Sequence, residues 1–185
     1  MANEIERYIA GGKIYFSELV NGTYGTEFEI GELTEATIEV SREYAEAFNK
    51  DGGQKVLSEK VLKQEDYKCT FKSQNINSTN LGLALGAEVE TINYIVGDEL
   101  PDGSTATATG TYKRIDAGTK SVVVGRIRFV SAPLTGKKRI TELPKAHLTL
   151  SGSIALMSEE FATLDFEASA MKDPVTGKYY REYIM

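Results

Sequence analysis

Tryptophan is absent from the 185 residues, and cysteine and histidine occur once each, as Cys69 and His147. A single cysteine excludes an intrachain disulfide and a thiolate zinc cluster. A single histidine leaves no Cys–His nucleophile pair unless those two side chains meet in space. Positive charge is the minority: 21 Lys and Arg face 27 Asp and Glu, a formal charge of −6. Grooves that grip nucleic acid gain affinity by neutralising phosphates with Lys and Arg, so this balance argues against one. Long hydrophobic runs are missing too. The longest aliphatic stretch, Ile154-Ala155-Leu156-Met157, is far too short to cross a bilayer. Glu4, Glu6 and Arg7 interrupt the start, where a secretion signal would need an apolar run. Asn21-Gly22-Thr23 and Asn77-Ser78-Thr79 match the glycosylation pattern, but without such a signal they read as a turn and a helix start. The expectation is a protein without a membrane partner that stays where it is made.

Catalytic motifs are missing as well. Gly12-Lys13, Gly136-Lys137 and Gly177-Lys178 lack the earlier glycine of a phosphate loop. Ser151-Gly152-Ser153 lies in a strand pattern, not at the strand–turn–helix corner of a nucleophile elbow. Glu35 and Glu39 share one strand face, about 13 Å apart at 3.3 Å per residue, too far for a paired acid and base. A solvated face explains them better, as it explains Glu159-Glu160 and Asp165 with Glu167. Asp98-Glu99-Leu100-Pro101-Asp102 is the best calcium candidate and lacks the EF-hand pattern. His147 falls on a polar face. The expectation is no enzyme, no catalytic residue, no metal and no cofactor.

What is present is a period of two. Ala36, Ile38 and Val40 oppose Glu35, Thr37 and Glu39; Tyr67, Cys69 and Phe71 oppose Lys68, Thr70 and Lys72. Segments 121–130, 145–153 and 161–170 repeat the design, and 12–17, 24–30, 89–96 and 109–115 are shorter strand candidates. Such alternation predicts antiparallel sheet with one wetted face. Asn21-Gly22, Asp51-Gly52-Gly53 and Pro101-Asp102-Gly103 supply turns, and Ala132-Pro133 and Asp173-Pro174 read as strand ends. Asn77 or Ser78 starts one short helix that carries Leu81 and Leu85 and stops at Gly86. One domain over 1–185 is predicted: a mainly β, antiparallel sandwich or partial barrel with one short flanking α-helix.

Residues 41–55 depart from the pattern and read as a long inter-strand loop. Tyr44 and Phe48 sit four apart among Glu43, Lys50 and Asp51, without an apolar partner inside the loop. Two readings stay open. The aromatics fold back onto their own sheet, or the segment is an arm that docks them on another copy.

From Glu32 to Gly86 the chain resembles the tail tube (major tail) proteins of long-tailed bacteriophages. The likeness rests on an acidic strand, Glu32–Val40, entering the charged aromatic arm, Glu43–Lys55. A returning strand follows at Val56–Leu62, then Tyr67-Lys68-Cys69-Thr70-Phe71, Asn75-Ile76-Asn77, Asn80-Leu81 and Leu85-Gly86. The arm core Ala45-Glu46-Ala47-Phe48 and the helix glycine Gly82 depart from the usual pattern. The resemblance implies a virion structural protein, made in the host bacterial cytoplasm, whose copies close into hexameric rings and stack into a tail tube for genome ejection. Its implied partners are itself, a tape-measure protein and tail-terminator or tail-tip proteins. Double-stranded DNA would pass without specific binding. Glu43, Tyr44, Phe48, Lys50 and Asp51 would form the inter-subunit arm. Glu35, Glu39, Asp165 and Glu167 are the candidate lumen-facing acids, because an acidic wall repels phosphate. The alternatives are a tube protein of a phage-derived contractile injection or secretion device and, from another class, a β-barrel carrier for an apolar ligand.

Overall fold

Alternating side chains need neighbouring strands to bury their apolar half, and the chain supplies them in one large antiparallel sheet. The computed structural model describes residues 9–51, 54–118, 120, 122–157, 159 and 161–185. Its elements are β1 (Ile9–Val20), β2 (Thr23–Tyr24), β3 (Phe28–Glu29), β4 (Leu33–Asp51), β5 (Gln54–Ser73) and α1 (Ser78–Leu85). They continue as β6 (Glu88–Tyr94), β7 (Gly110–Asp116), β8 (Val123–Thr135), β9 (Arg139–Leu150), β10 (Leu164–Ala170) and β11 (Arg181–Ile184). The strand order is β2-β1-β8-β9-β10-β5-β4, with β3 added to β1 and β11 to β9, while β6 and β7 form a separate hairpin. The fold is mainly β and sandwich-like, with one helix and no closed barrel.

The core lies on the concave side of this sheet. Ile14 and Phe16 of β1, Cys69 and Phe71 of β5, Ile127 of β8, Leu148 of β9 and Phe166 of β10 meet there. Phe71 and Phe166 stack with ring centroids 4.9 Å apart. Each buried phenylalanine contributes about 1.5–3 kcal/mol over leaving the ring in water.

Helix α1 closes one end of this core with Leu83 and Ala84. Asn77 caps it by accepting a bond from the Asn80 amide at 2.8 Å, and Gly86 ends it at φ 57°. The buried Asn80 amide group donates to the carbonyls of Ile30 (2.6 Å) and Asn75 (2.7 Å), tying the helix to two loops. Gly82 has a use at its position: a Cβ there would lie 2.5 Å from Val89 Cγ2, so only glycine lets the helix rest against β6.

Several boundaries differ from expectation. Residues 41–51 and 54–55 are paired strand, not loop. Register shifts at Glu43/Tyr44 and Ala47/Phe48 insert extra residues on β5, and these erase the period of two in its sequence. Gly52 and Gly53, the predicted turn, lie outside the described residues, as do Glu4, Glu6, Arg7, Ser121 and Glu160. The strand expected over 24–30 divides into β2 and β3, separated where Ser17 Oγ donates to the Gly25 carbonyl at 2.6 Å. β8 runs through Pro133 to Thr135 because its pairing with β1 becomes irregular at Ile9/Ala10, where a missing donor is tolerated. Pro144 sits inside β9 at the irregularity between the Gly125↔Ala146 and Ile127↔Leu143 pairs.

Candidate functional site

β10 stops pairing with β5 at the Ser169↔Lys68 rung. Beyond it β4 and β5 continue alone, from Val40↔Tyr67 out to Asp51↔Gln54. At roughly 3.3 Å per residue this two-stranded ribbon runs about 35 Å past its last rung with β10. Paired residues share a face, so the core-facing side continues outward as a ladder. Its rungs are Val40/Tyr67, Arg42/Glu65, Tyr44/Leu62, Glu46/Lys60, Phe48/Leu57 and Lys50/Lys55. Apolar rungs alternate with charged ones. Tyr44 is 41% exposed and Phe48 43%, so the aromatics neither reach the core nor leave the ribbon. Each lies under a lysine of β5: Lys60 Nζ is 4.5 Å from the Tyr44 ring centre, and Lys55 Nζ is 4.2 Å from that of Phe48.

Cross-strand ion pairs link the two strands along the ribbon. Arg42 Nε donates to Glu65 at 2.7 Å, Lys60 lies 3.1 Å from Glu46, and Lys63 donates to Glu43 at 3.2 Å. Hydrogen bonds from Arg42 and Tyr67 hold the Glu65 carboxyl below the usual carboxylate range. At the base, Tyr67 stacks on Tyr180 and Tyr179 of the C-terminal segment, with centroids 5.6 and 6.1 Å away. Burial, assisted by the Glu182 carboxylate, pushes the Tyr180 phenol up to about 12. Of the five expected arm residues, Glu43, Tyr44, Phe48 and Lys50 therefore share this ribbon. Asp51 is its last β4 residue, paired through its backbone with Gln54.

The four expected acids share the opposite face of the sheet. The rungs there are Glu35–Lys72–Asp165, Thr37–Thr70–Glu167 and Glu39–Lys68–Ser169. Lys72 lies 3.3 Å from Glu35, and Lys68 lies 2.8 Å from Glu167. The face is a chequerboard of acids, lysines and threonines with an acidic excess. His147 faces Ser169 on the same side.

Two further features went unread in the sequence. β4 is the outer edge of the sheet along its whole length, and no described strand pairs with its far side. The sheet also curls until its ends approach, leaving a cleft of about 440 Å³ lined by Ile14, Ile38, Val40, Tyr67, Cys69 and Phe129. Edge position and curl depend on strand order, which alternation does not encode. Inside the core, burial alone pushes the Cys69 thiol up to about 12, the setting of an inert structural cysteine. No grouping of His, Cys, Asp and Glu able to hold a metal occurs among the described residues. No helix among them is long and apolar enough to cross a membrane.

No curated protein matches the chain. A family model described as "Protein of unknown function UCP028589" matches residues 7–126, a span that holds β1 through β7, the ribbon and the helix. The chain belongs to that family.

Proposed function

We propose that this protein is a structural subunit whose work is to assemble with copies of itself into a tube, as the tail tube proteins it resembles do. The observation that carries the reading is the β4–β5 ribbon. A hairpin this long, unpaired past its last rung with β10, with Tyr44, Phe48, Leu57 and Leu62 exposed on one side, has little reason to exist in a monomer. Isolated two-stranded ribbons are marginal in water, and a second copy would cover the apolar rungs. The open β4 edge supports the same conclusion, because unpaired edges of this length invite another strand. Closing such edges between six copies would remove them from solvent.

The polar face then forms the wet wall of the conduit. Its lysines are held by Glu35 and Glu167, so few cations are left to release counterions from DNA. A duplex would slide along such a wall. In this reading the ring partners, tape-measure protein and tail-end proteins are those implied by the resemblance, and the location is the virion tail.

Negative-stain microscopy of concentrated protein tests the reading. Hollow tubes are expected; dispersed single subunits at every concentration and ionic strength would overturn it. The apolar cleft between the curled sheet ends supports a second reading, a carrier for an apolar ligand. That reading requires saturable binding of a fluorescent fatty acid to the monomer, lost in Ile38→Asp.

A further inference from the structure

The first hairpin turns on Asn21 and Gly22, the one Asn-Gly pair in the sequence. Their φ angles are both positive, 50° and 80°, and β1 pairs with β2 beside them through Val20↔Thr23 and Leu19↔Tyr24. This is a two-residue turn of the I′ kind. Asn21 is exposed, and it is the only non-glycine residue with positive φ among those described. Its side-chain amide has no hydrogen-bond partner among them. Comparable side chains elsewhere are engaged. At the exposed Asp102-Gly103 turn the carboxylate accepts bonds from the Ser104 amide (3.0 Å) and hydroxyl (2.6 Å). Asn77 caps the helix, and Asn80 donates to two buried carbonyls.

We propose that Asn21 is a self-modifying site, and that Tyr24 guards it. Gly22 has no Cβ to shield its nitrogen from the neighbouring carboxamide. That nitrogen attacks Asn21 Cγ; the new N–C bond forms, the Cγ–NH2 bond breaks, and ammonia leaves with the Gly22 proton. Water then opens the resulting succinimide ring. Opening at the side-chain carbonyl gives an aspartate. Opening at the main-chain carbonyl gives an isoaspartate, whose backbone is one methylene longer. Water is the only co-reactant.

Ring closure requires the Gly22 nitrogen to swing over the Asn21 side chain, out of the ψ of about 30° that a I′ turn holds. The closed hairpin resists that movement. Beyond it, Ser17 Oγ donates to the Gly25 carbonyl and the Gly25 amide donates to Glu18, so residues 20–24 form the part that opens locally. Tyr24 holds this part shut. Its hydroxyl donates to the Pro144 carbonyl at 2.7 Å, and the Arg126 guanidinium lies 5.6 Å from its ring centre. Once isoaspartate forms, the longer backbone no longer fits a two-residue turn, and β2 and Tyr24 are released. The proposal stands apart from the assembly reading.

The test incubates the full chain in mildly alkaline buffer and measures asparagine, aspartate and isoaspartate at each asparagine by peptide mass spectrometry. Wild type, Tyr24→Phe and wild type unfolded in urea are compared. Asn21 is expected to convert before any other asparagine of the folded protein. Loss of the Tyr24 hydrogen bond should speed conversion about threefold to tenfold, and the unfolded chain should be faster still. Asn21→Asp, made directly, keeps a turn-forming Asp-Gly pair and should retain wild-type amide protection in β2, whereas the isoaspartate fraction should lose it. If Asn21 outlasts the other asparagines in the folded protein, the site is refuted. Equal rates in wild type and Tyr24→Phe would overturn the guard. Unchanged β2 protection in the isoaspartate fraction would overturn the release.

Discussion

β4 and β5 pass through two environments, and the contrast between them separates folding from function. Near Ile38, Cys69 and Phe71 the inward face meets β10, β9 and the helix, and Phe71 is 1% exposed. A few rungs farther, the same face of the same two strands leaves Phe48 and Leu62 in solvent. Aromatic and aliphatic residues stand on this face in both regions. What differs is the neighbour: the pairing of β10 with β5 stops at Ser169, and past Tyr67, which Tyr179 and Tyr180 cover, no described strand pairs with β5 in its place. Apolar side chains in the body are buried and stabilise the fold, while those on the ribbon stay largely in water and add much less.

Substitutions placed in the two regions should therefore separate. The largest effect is expected for Phe71→Ala, which removes a stacked core ring and leaves a cavity. A loss of about 3–5 kcal/mol should appear in urea unfolding. Asn80→Ala deletes the buried donor to the Ile30 and Asn75 carbonyls. It should cost about 1–3 kcal/mol and loosen the helix from its loops, read as faster amide exchange in α1.

Glu27 gives a smaller, pH-dependent effect in the body. Its hydrogen bond from Arg128 Nε at 3.1 Å holds the carboxyl below its ordinary value. A depressed carboxylate contributes stability above its unfolded pKa and loses it as pH falls through the folded value. Glu27→Gln should therefore cost under about 1 kcal/mol at neutral pH and flatten the acid side of the stability curve. A variant with an unchanged acid limb would show that the pair does not matter.

The smallest stability change is expected on the ribbon. Phe48→Ala should shift the unfolding free energy by less than about 0.5 kcal/mol. A loss approaching that of Phe71→Ala would erase the contrast, and would place Phe48 in the monomer's own core.

Legibility in the sequence followed the same division. Body strands were readable because one face is buried and alternation records it, as in Leu164–Ala170 and Tyr67–Phe71. The helix was readable from Asn77 and Gly86, which act through purely local geometry. On the ribbon the returning strand Val56–Leu62 was legible through the resemblance alone, because two bulges break its period, and β4 beyond Val40 was missed because Arg42, Glu46 and Lys50 occupy the nominally apolar face. The four residues of β11 carry no pattern of their own, and their pairing depends on β9. The four acids were legible as one face. The pairing of Glu35 with Lys72 and of Glu167 with Lys68 needed the register of β5 against β4 and β10.

The central claim is that the ribbon's apolar rungs exist for another copy. Sedimentation velocity and electron microscopy of wild type beside Tyr44→Ser/Phe48→Ser test it most directly. The account predicts tubes from wild type, and a folded 20.3 kDa particle with unchanged melting from the variant. Equal assembly by both proteins, or an unfolded variant, would contradict it.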